Sequence, residues 1–196
     1  MTMPDVSGPD VLMDAPADVP VDATGTDVLP DARFDASGWS PVASGTFSDL
    51  RAVWGSGAND VFAAGDSGTV LRTTNSGTSF TALATNVTSS LSAIWGSAAD
   101  NIYAVGSSGT VLRTTTSGAT WTKLGTPDSF SSLYGVWGSS AASVYFVGSS
   151  GLVWRTVDGA AISVVPSVSF SSFYGISGTA ERAFTIVGST SVLRKL

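Results

Sequence analysis

Two residue types that carry much of enzyme chemistry, cysteine and histidine, are absent from the 196-residue chain. Without cysteine there is no disulfide bond, no thiolate nucleophile and no cysteine-ligated metal centre, and without histidine the commonest general base is missing. The sequence also has no apolar run of about 18 residues, so we expect no membrane-spanning helix. These absences predict a protein without a metal or a cofactor and leave few routes to catalysis.

Charge is scarce, at 12% of the residues, and it is unevenly distributed. Residues 1–38 contain eight Asp and one Arg, whereas residues 39–196 contain seven acidic and eight basic residues. A nearly neutral body without a basic cluster argues against nucleic-acid binding, which needs several phosphate-neutralising Lys or Arg residues.

The acidic segment 1–38 contains five Pro, which interrupt any helix, and its like charges repel each other. Its Asp residues do not have the close Asp-x-Asp-x-Asp-Gly spacing of a calcium loop. We therefore predict an extended, disordered linker over residues 1–38 and a folded domain over residues 39–196.

The chain is rich in repetition. The stretch LSAIWGSAADNIYAVGSSGTVLRTTTSGATWTKL begins at residue 91, and similar stretches begin near residues 50, 133 and 173, a period of 40 to 42 residues. In the second copy, turn residues separate four short β-prone runs, which we name strands A (91–97), B (101–106), C (110–115) and D (120–124). Four strands in about forty residues make a propeller blade. We predict an all-β fold, a β-propeller with four blades of four antiparallel strands.

The turn between strands C and D resembles the Asp-box, or BNR, repeat, whose pattern is Ser-x-Asp-x-Gly-x-Thr-Trp. Residues 73–80 and 114–121 follow this pattern but lack the box aspartate, and the third copy has Asp158 with altered spacing after it. The whole repeat is also similar to propeller repeats in secreted or surface proteins of myxobacteria, which linkers like residues 1–38 often precede. The resemblance implies a propeller that is extracellular or at the cell surface. No signal-peptide pattern opens the chain, so this location rests on the resemblance.

The fourth copy ends after strand C, so it lacks an outer strand. Residues 39–43, beginning with Trp39, resemble strand D of the other copies, and we predict that they pair beside Ser191 to Leu196 and complete the fourth blade. Two geometries fit this count: a four-bladed ring made by one chain, or an eight-bladed ring made by a homodimer that shares strands. A third alternative is that the chain is a fragment of a longer propeller.

Three repeated residue types suggest sites, but we predict a structural role for each. The Trp residues could stack on sugars, yet they lie on inner strands that pack against a neighbouring blade. The Arg residues could bind an anion, yet equivalent positions on successive blades do not converge. The Gly residues occur in hairpin turns with no helix behind them to receive a phosphate. These residues are Trp54, Trp95 and Trp137; Arg72, Arg113, Arg155 and Arg194; and Gly68, Gly109 and Gly151.

The Asp-box resemblance raises a sialidase alternative, in which three arginines hold the substrate carboxylate and a Tyr–Glu pair performs the reaction. The only glutamate is Glu181, in a turn of the fourth copy. Ordinary glycoside hydrolysis needs paired carboxylates, and most aspartates of the folded domain are turn residues. We therefore predict that the protein is not an enzyme.

One rim of the propeller remains as a functional surface, because antiparallel strands place the B–C turns and the D–A linkers at the same end of each blade. Aromatic and hydroxyl side chains there suit recognition of a protein or a carbohydrate. An alternative role for Phe130 and Phe170 is to fill gaps between blades. The predicted ligand-binding residues are Asp66, Ser67, Ser107, Ser108, Phe130, Tyr134, Ser149, Ser150, Phe170 and Tyr174.

The sequence thus predicts a non-enzymatic binding or scaffold module that recognises a protein or glycan partner at or outside the cell surface. Two alternatives stay open. One is a degenerate sialidase- or glycosidase-like propeller, which would collect Arg, Tyr and a carboxylate in one pocket. The other is an assembly factor that resembles the Asp-box propeller of photosystem II assembly. That role would call for a basic face, which the nearly neutral domain does not offer.

Overall fold

Four antiparallel sheets follow one another along residues 40–167 and 169–195, the part of the chain that the computed structural model describes. The first sheet has strands β1 (Leu50–Gly57), β2 (Asp60–Gly65), β3 (Val70–Thr73) and β4 (Thr81–Leu83). The second has β5 (Leu91–Ala98), β6 (Asn101–Gly106), β7 (Val111–Thr114) and β8 (Thr122–Lys123). The third has β9 (Leu133–Gly138), β10 (Val144–Gly148), β11 (Val153–Thr156) and β12 (Ser163–Val164). The fourth has β13 (Phe173–Ala180), β14 (Ala183–Gly188) and β15 (Val192–Lys195).

Each sheet is a meander in which neighbouring strands follow chain order. This confirms the predicted all-β fold with one sheet per repeat. The helical residues among those described are two single 3₁₀ turns, Asp66–Gly68 and Ser149–Gly151. No helix in this part of the chain has the length and apolar character that a membrane crossing requires.

The second strand of an interior blade is apolar on both faces because it lies between two other blades. In β6, Ile102 and Ala104 pack against the first blade, whereas Tyr103 and Val105 pack against the third, and all four are fully buried. Burial on both faces explains why this strand is a continuous apolar run and not an alternating one.

The inner-strand tryptophans pack between blades, as predicted. A Cβ atom added to Gly96 would lie 2.6 Å from the ring of Trp54, and one added to Gly138 would lie 2.7 Å from the ring of Trp95. Trp137 packs on the next blade as well, with its ring centroid 5.6 Å from that of Phe184. Trp54 and Trp95 therefore cover the inner strand of the following blade, where glycine leaves the room for them, whereas Trp137 contacts the second strand, β14.

The strand C arginines also connect successive blades. The Nε atom of Arg72 donates to Asp60 at 2.7 Å within the first blade, and its Nη1 atom donates to the carbonyl oxygen of Ser117 in the second at 2.9 Å. The Nη1 atom of Arg113 donates to the carbonyl oxygen of Gly159 in the third blade at 2.7 Å. Arg72 and Arg113 therefore have the predicted structural role, as links between successive blades.

Between the third and fourth blades, the arginine binds a side chain and not a backbone carbonyl oxygen. Arg155 forms an ion pair with Glu181, which lies between β13 and β14, and Ser139 donates to Glu181 at 3.0 Å. The only glutamate of the chain therefore ties the third blade to the fourth.

The described blades form an open arc and not a closed four-bladed ring. The inner strands pack in sequence, β1 beside β5, β5 beside β9 and β9 beside β13, and β13 is not packed along β1 in this way. Val53 on β1 is 71% exposed, whereas Ile94, the equivalent residue on β5, is 7% exposed. On the side of the first blade that faces away from the second blade, the inner strand β1 is therefore partly exposed to solvent.

The predicted closing strand is not found among the described residues. Residues 40–43 lie outside every strand, and the fourth sheet consists of β13, β14 and β15. Trp39 and Leu196 at the ends of the predicted pairing lie outside the described residues. A local likeness to strand D does not determine pairing, because pairing also requires the chain to reach the edge of β15.

Candidate functional site

The B–C turns and the D–A linkers share one rim, as the strand order requires. In each blade the first residue of the B–C turn donates a backbone hydrogen bond to the residue just before strand A. These bonds run from Asp66 N to Asp49 O, Ser107 N to Ser90 O, Ser149 N to Ser132 O and Ser189 N to Ser172 O, at 2.9 to 3.1 Å. The rim is therefore a set of turns fixed to the entry of each blade.

The glycines of these turns have the left-handed backbone predicted for them, with φ of 70° at Gly68, 59° at Gly109 and 73° at Gly151. They also allow the linker to approach closely. A Cβ atom on Gly109 would lie 2.1 Å from the carbonyl oxygen of Asp128, and Gly109 N donates to Ser131 O at 2.7 Å. The turn and the linker thus form one continuous surface.

Three of the predicted ligand-binding serines have an unusual backbone. Ser67, Ser108 and Ser150 precede the turn glycines and have φ of 56°, 56° and 54°. Left-handed backbone is uncommon for residues other than glycine and costs free energy. All three side chains are exposed, so the turns present a serine hydroxyl at each of three blades.

Asp66 is engaged in a structural contact on this rim. Arg51 donates to both of its carboxylate oxygens, each at 2.6 Å. Hydrogen bonds from Arg51 and then from Ser90 lower the pKa of Asp66 to about 2. The carboxylate therefore stays charged at neutral pH but is already paired.

A groove of about 340 Å³ lies on the rim between the linkers on either side of the third blade. Ser149 and Ser150 of the B–C turn lie on one side and Phe170 on another, while Trp154 and Val165 contribute apolar surface. Three of the predicted ligand-binding residues therefore meet in one concave site, which also includes Asp128 and Ser131.

Asp128 shapes one wall of this groove, a role that the sequence analysis missed. The backbone N–H groups of Phe130 and Ser131 donate to its Oδ1 atom at 2.9 and 2.7 Å, and the Ser131 hydroxyl donates to Oδ2 at 2.9 Å. These bonds, led by that from the backbone of Ser131, lower the pKa of Asp128. An Asp two residues before an exposed aromatic residue is the signal of an Asx turn that could have pointed to it.

Phe130 and Phe170 project from the rim linkers into solvent. Their side chains are 94% and 95% exposed. The alternative that they fill gaps between blades is therefore wrong. The hydrogen bonds of Asp128 hold the backbone at Phe130, so the ring is displayed without being buried.

Tyr134 and Tyr174 lie beside each other at the start of the inner strands of the third and fourth blades. Their ring centroids are 5.4 Å apart. Tyr174 is 57% exposed, and Ser189 donates toward its hydroxyl at 3.4 Å. The tyrosines add an aromatic pair to the rim at the interface between these two blades.

The predicted residues of the first two blades do not line this groove. Asp66 and Ser67 belong to the first blade, and Ser107 and Ser108 to the second. They occupy equivalent rim positions, but the groove lies one blade or more further along the arc. The structure thus concentrates the candidate site on the third and fourth blades.

The groove presents several kinds of groups that can contact a ligand. It has hydroxyl groups, apolar surface and one carboxylate that is occupied by backbone hydrogen bonds, and its lining contains no arginine or lysine. In residues 40–167 and 169–195 no group of three or more acidic side chains is placed to hold a metal ion.

Antiparallel sheets arranged side by side, each contributing its first strand to a common inner edge, define a β-propeller domain. The DUF6242 β-propeller domain matches residues 23–191, so the chain belongs to that family. No curated protein sequence matches the chain.

Solved structures with the same fold include two of YCF48. The first, from Cyanidioschyzon merolae, has a TM-score of 0.63 and 16% identity and covers 73% of this chain and 49% of that one. The second, YCF48 bound to D1 peptide, has a TM-score of 0.60 and 13% identity and covers 76% and 52%. An ancestral GH74 enzyme has a TM-score of 0.57 and 16% identity and covers 72% and 22%. The chain therefore spans about half the length of the YCF48 structures that it matches.

Proposed function

We propose that this domain is a non-enzymatic binding module that recognises a polypeptide segment of a protein partner through the rim groove. The observation that carries the proposal is the display of Phe130 and Phe170 on linkers that flank the groove. Exposed aromatic rings next to a concave surface are typical of the anchors that dominate protein interfaces.

The groove offers partners for a peptide as well as apolar surface. The hydroxyl groups of Ser149, Ser150 and Ser131 can exchange hydrogen bonds with a peptide backbone, and Trp154 and Val165 lie in its lining. A site of this kind binds through one or two buried side chains and a few hydrogen bonds. This combination favours a polypeptide over a charged small molecule.

The glycosidase alternative lacks support from the described grooves. The rim groove has the carboxylate of Asp128 but no arginine. A second groove, beside β15, contains Tyr145 and Arg194 but no carboxylate. Neither one brings together the three groups that a sialidase-like reaction needs.

The comparison with YCF48 is compatible with this proposal, because one YCF48 structure holds a D1 peptide on a propeller of the same fold. At 13% identity the likeness bears on the fold alone. An assembly role, an extracellular or cell-surface location, a carbohydrate ligand and a strand-sharing homodimer stay predictions from the sequence. The Asp-box likeness does too.

A peptide-display selection against the full chain tests the proposal. Selected peptides should bind the wild type and lose at least about tenfold in affinity for the double variant Phe130→Ala/Phe170→Ala, because truncating interface aromatic residues removes most of their contribution. Val157 is also an exposed apolar residue, but it lies in a C–D turn at the opposite end of the blade. Val157→Ala is therefore the matched control and should bind like the wild type.

Two results would contradict the proposal. One is that no selected peptide binds the double variant more weakly than it binds the wild type. The other is a glycan array in which the wild type, but not the double variant, binds a sugar while no peptide is enriched. The second result would move the domain to the carbohydrate alternative.

A further inference from the structure

The outer edge of β15 differs from the corresponding edges of the other three blades. In those blades the third strand pairs with an outer strand, β3 with β4, β7 with β8 and β11 with β12. Two pairings continue beyond the strand ends, since Leu124 N donates to Val111 O at 2.9 Å and Val165 N donates to Val153 O at 2.8 Å. The equivalent residue on β15 is Val192, and among the described residues no strand pairs with that edge.

A groove of about 320 Å³ accompanies this edge, between the third and fourth blades. Tyr145 and Val153 line it from the third blade, and Phe184, Ile186 and Leu193 line it from the fourth. These five residues belong to, or pack against, the apolar cluster between the two blades. The groove is therefore an open part of an interface that is closed elsewhere in the arc.

In the other two interfaces, a large side chain just before the outer strand occupies the corresponding place. Trp121 packs in the cluster with Phe62 and Leu112 between the first and second blades, where it is 8% exposed. Ile162 packs in the cluster with Tyr103 between the second and third blades. The repeat therefore shows what the space beside β15 is shaped to receive: one large apolar side chain carried by an extended segment.

The groove is also positively charged. Arg194 and Lys195 line it, and no acidic residue does. The Nζ atom of Lys195 donates to the hydroxyl of Tyr145 at 3.1 Å and lies 5.4 Å from the centroid of that ring. Both cations are at the exposed edge, so a segment that pairs there meets two positive charges.

We propose that the edge of β15 is a docking site for an acidic, extended segment of a partner protein, which adds the fourth strand to the fourth blade and inserts an aromatic side chain into the groove beside it. The backbone of Val192 supplies main-chain hydrogen bonds, the groove selects the aromatic residue, and Arg194 and Lys195 favour acidic neighbours. Addition of a strand to an open sheet edge is a common mode of peptide recognition. This site adjoins the rim groove, since Val153, Val165, Pro166 and Ser167 line both grooves, but Phe130 and Phe170 are not part of its lining.

The probe is a labelled peptide copied from the chain itself, residues 117–125, in which Lys123→Glu supplies an acidic residue. Binding to the full chain is measured by fluorescence anisotropy. We expect the peptide to bind, and we expect the same peptide with Trp121→Ala to bind at least about tenfold more weakly, because the buried aromatic area is lost. A third peptide with Thr122→Pro, which cannot continue a ladder, should lose binding as well.

Variants of the protein locate the site. Val192→Pro removes the outward N–H and should abolish binding, whereas Val192→Thr should preserve it. Lys195→Glu should weaken binding of the acidic peptide about tenfold or more and improve binding of the unmodified peptide with Lys123, since close charge pairs add attraction or repulsion of that order. The opposite changes in affinity for the two peptides can be measured in Lys195→Glu even if Val192→Pro does not fold. Phe130→Ala/Phe170→Ala should leave this binding unchanged, which separates it from the rim proposal.

Three outcomes overturn the inference. The first is that the wild type binds the acidic peptide and its Trp121→Ala version equally well. The second is binding that is indifferent to Lys195→Glu with both peptides. The third is stronger binding of the peptide to Trp39→Ala than to the wild type, because the segment of the chain around Trp39 would then be the occupant of the edge and not a partner protein.

Discussion

The first three blades present aromatic residues to the blade that follows, whereas the fourth blade presents polar ones at the same positions. The strand register defines two equivalent positions, one on strand A and one opposite it on strand B. They hold Trp54 and Phe62, Trp95 and Tyr103, and Trp137 and Tyr145 in the first three blades, and Ser177 and Thr185 in the fourth. The paired strands keep their antiparallel register in all four, so the aromatic residues serve the contact between blades and not the sheet itself.

The strand C arginines repeat this contrast. Arg72, Arg113 and Arg155 each reach a group in the following blade. Arg194 is exposed and makes no side-chain hydrogen bond to another described residue. The fourth repeat therefore keeps the arginine but not the contact that the arginine makes in the other blades. The sequence alone does not show this difference.

Truncation of Tyr103 should cause the largest difference in stability between a residue of the first three blades and its equivalent in the fourth. Tyr103 is fully buried, and its hydroxyl donates to the carbonyl oxygen of Ala141 in the next blade at 2.9 Å. We expect Tyr103→Ala to lower the free energy of unfolding by about 3–5 kcal/mol because it leaves a cavity. Thr185→Ala, at the equivalent position of the fourth blade, should cost less than about 0.5 kcal/mol. Urea denaturation measures both free energies of unfolding. Equal losses would show that the aromatic residues at these positions do not stabilise the contact between blades.

Arg113→Ala should have the second largest effect. It removes the hydrogen bond to Gly159 O and the contact of the guanidinium group, 5.4 Å from the ring centroid, with Tyr103. We expect a loss of about 1–3 kcal/mol in the free energy of unfolding. The matched control is Arg194→Ala, for which we expect a change within about 0.5 kcal/mol. If Arg194→Ala were equally destabilising, Arg194 would have a structural partner and the comparison between the blades would fail.

The dependence of stability on pH should also distinguish Arg72, at the interface between the first and second blades, from Arg194 in the fourth. The hydrogen bond from Arg72, followed by that from Ser56, lowers the pKa of Asp60 against the opposing effect of burial. A carboxylate with a lowered folded-state pKa stabilises the fold above its unfolded pKa of about 3.9, and this contribution is lost as the pH falls through the folded-state pKa.

The substitution Asp60→Asn should therefore flatten the dependence of unfolding free energy on pH between about 5 and 2, by about 1 kcal/mol for a partly exposed pair. Asp66, Asp128 and Asp158, whose pKa values are also lowered, should preserve the rest of the slope. Arg194→Ala should leave the slope as it is in the wild type. An unchanged slope in Asp60→Asn would show that the carboxylate and Arg72 are not coupled in solution.

The parts of the fold that could be predicted from the sequence are those that each repeat encodes locally. The predicted second-copy strands at 91–97 and 101–106 match β5 and β6 within one residue. The turn glycine Gly109 and the inner-strand Trp95 have the roles that their patterns indicate, because turn chemistry and strand periodicity act over a few residues.

Contacts between distant segments could not be predicted in this way. Likeness to strand D predicts that residues 39–43 pair with β15, but likeness says nothing about the path of the chain. An apolar residue type does not show whether Phe130 fills a gap between blades or projects into solvent, and hydrogen bonds to Asp128 hold its linker outward. The tilted contact between the rings of Tyr134 and Tyr174 joins residues forty positions apart and has no local signal.

The smallest stability change is expected at the rim, where the apolar residues are not part of any interface between blades. Phe130 and Phe170 are almost fully exposed, so their replacement removes little buried area. We expect Phe130→Ala/Phe170→Ala to change the free energy of unfolding by less than about 0.5 kcal/mol, in contrast to the buried aromatic residues between blades. Thermal and urea denaturation of the double variant measure this difference. A loss above about 2 kcal/mol would assign these rings to the fold, whereas unchanged stability together with lost peptide binding would assign them to recognition.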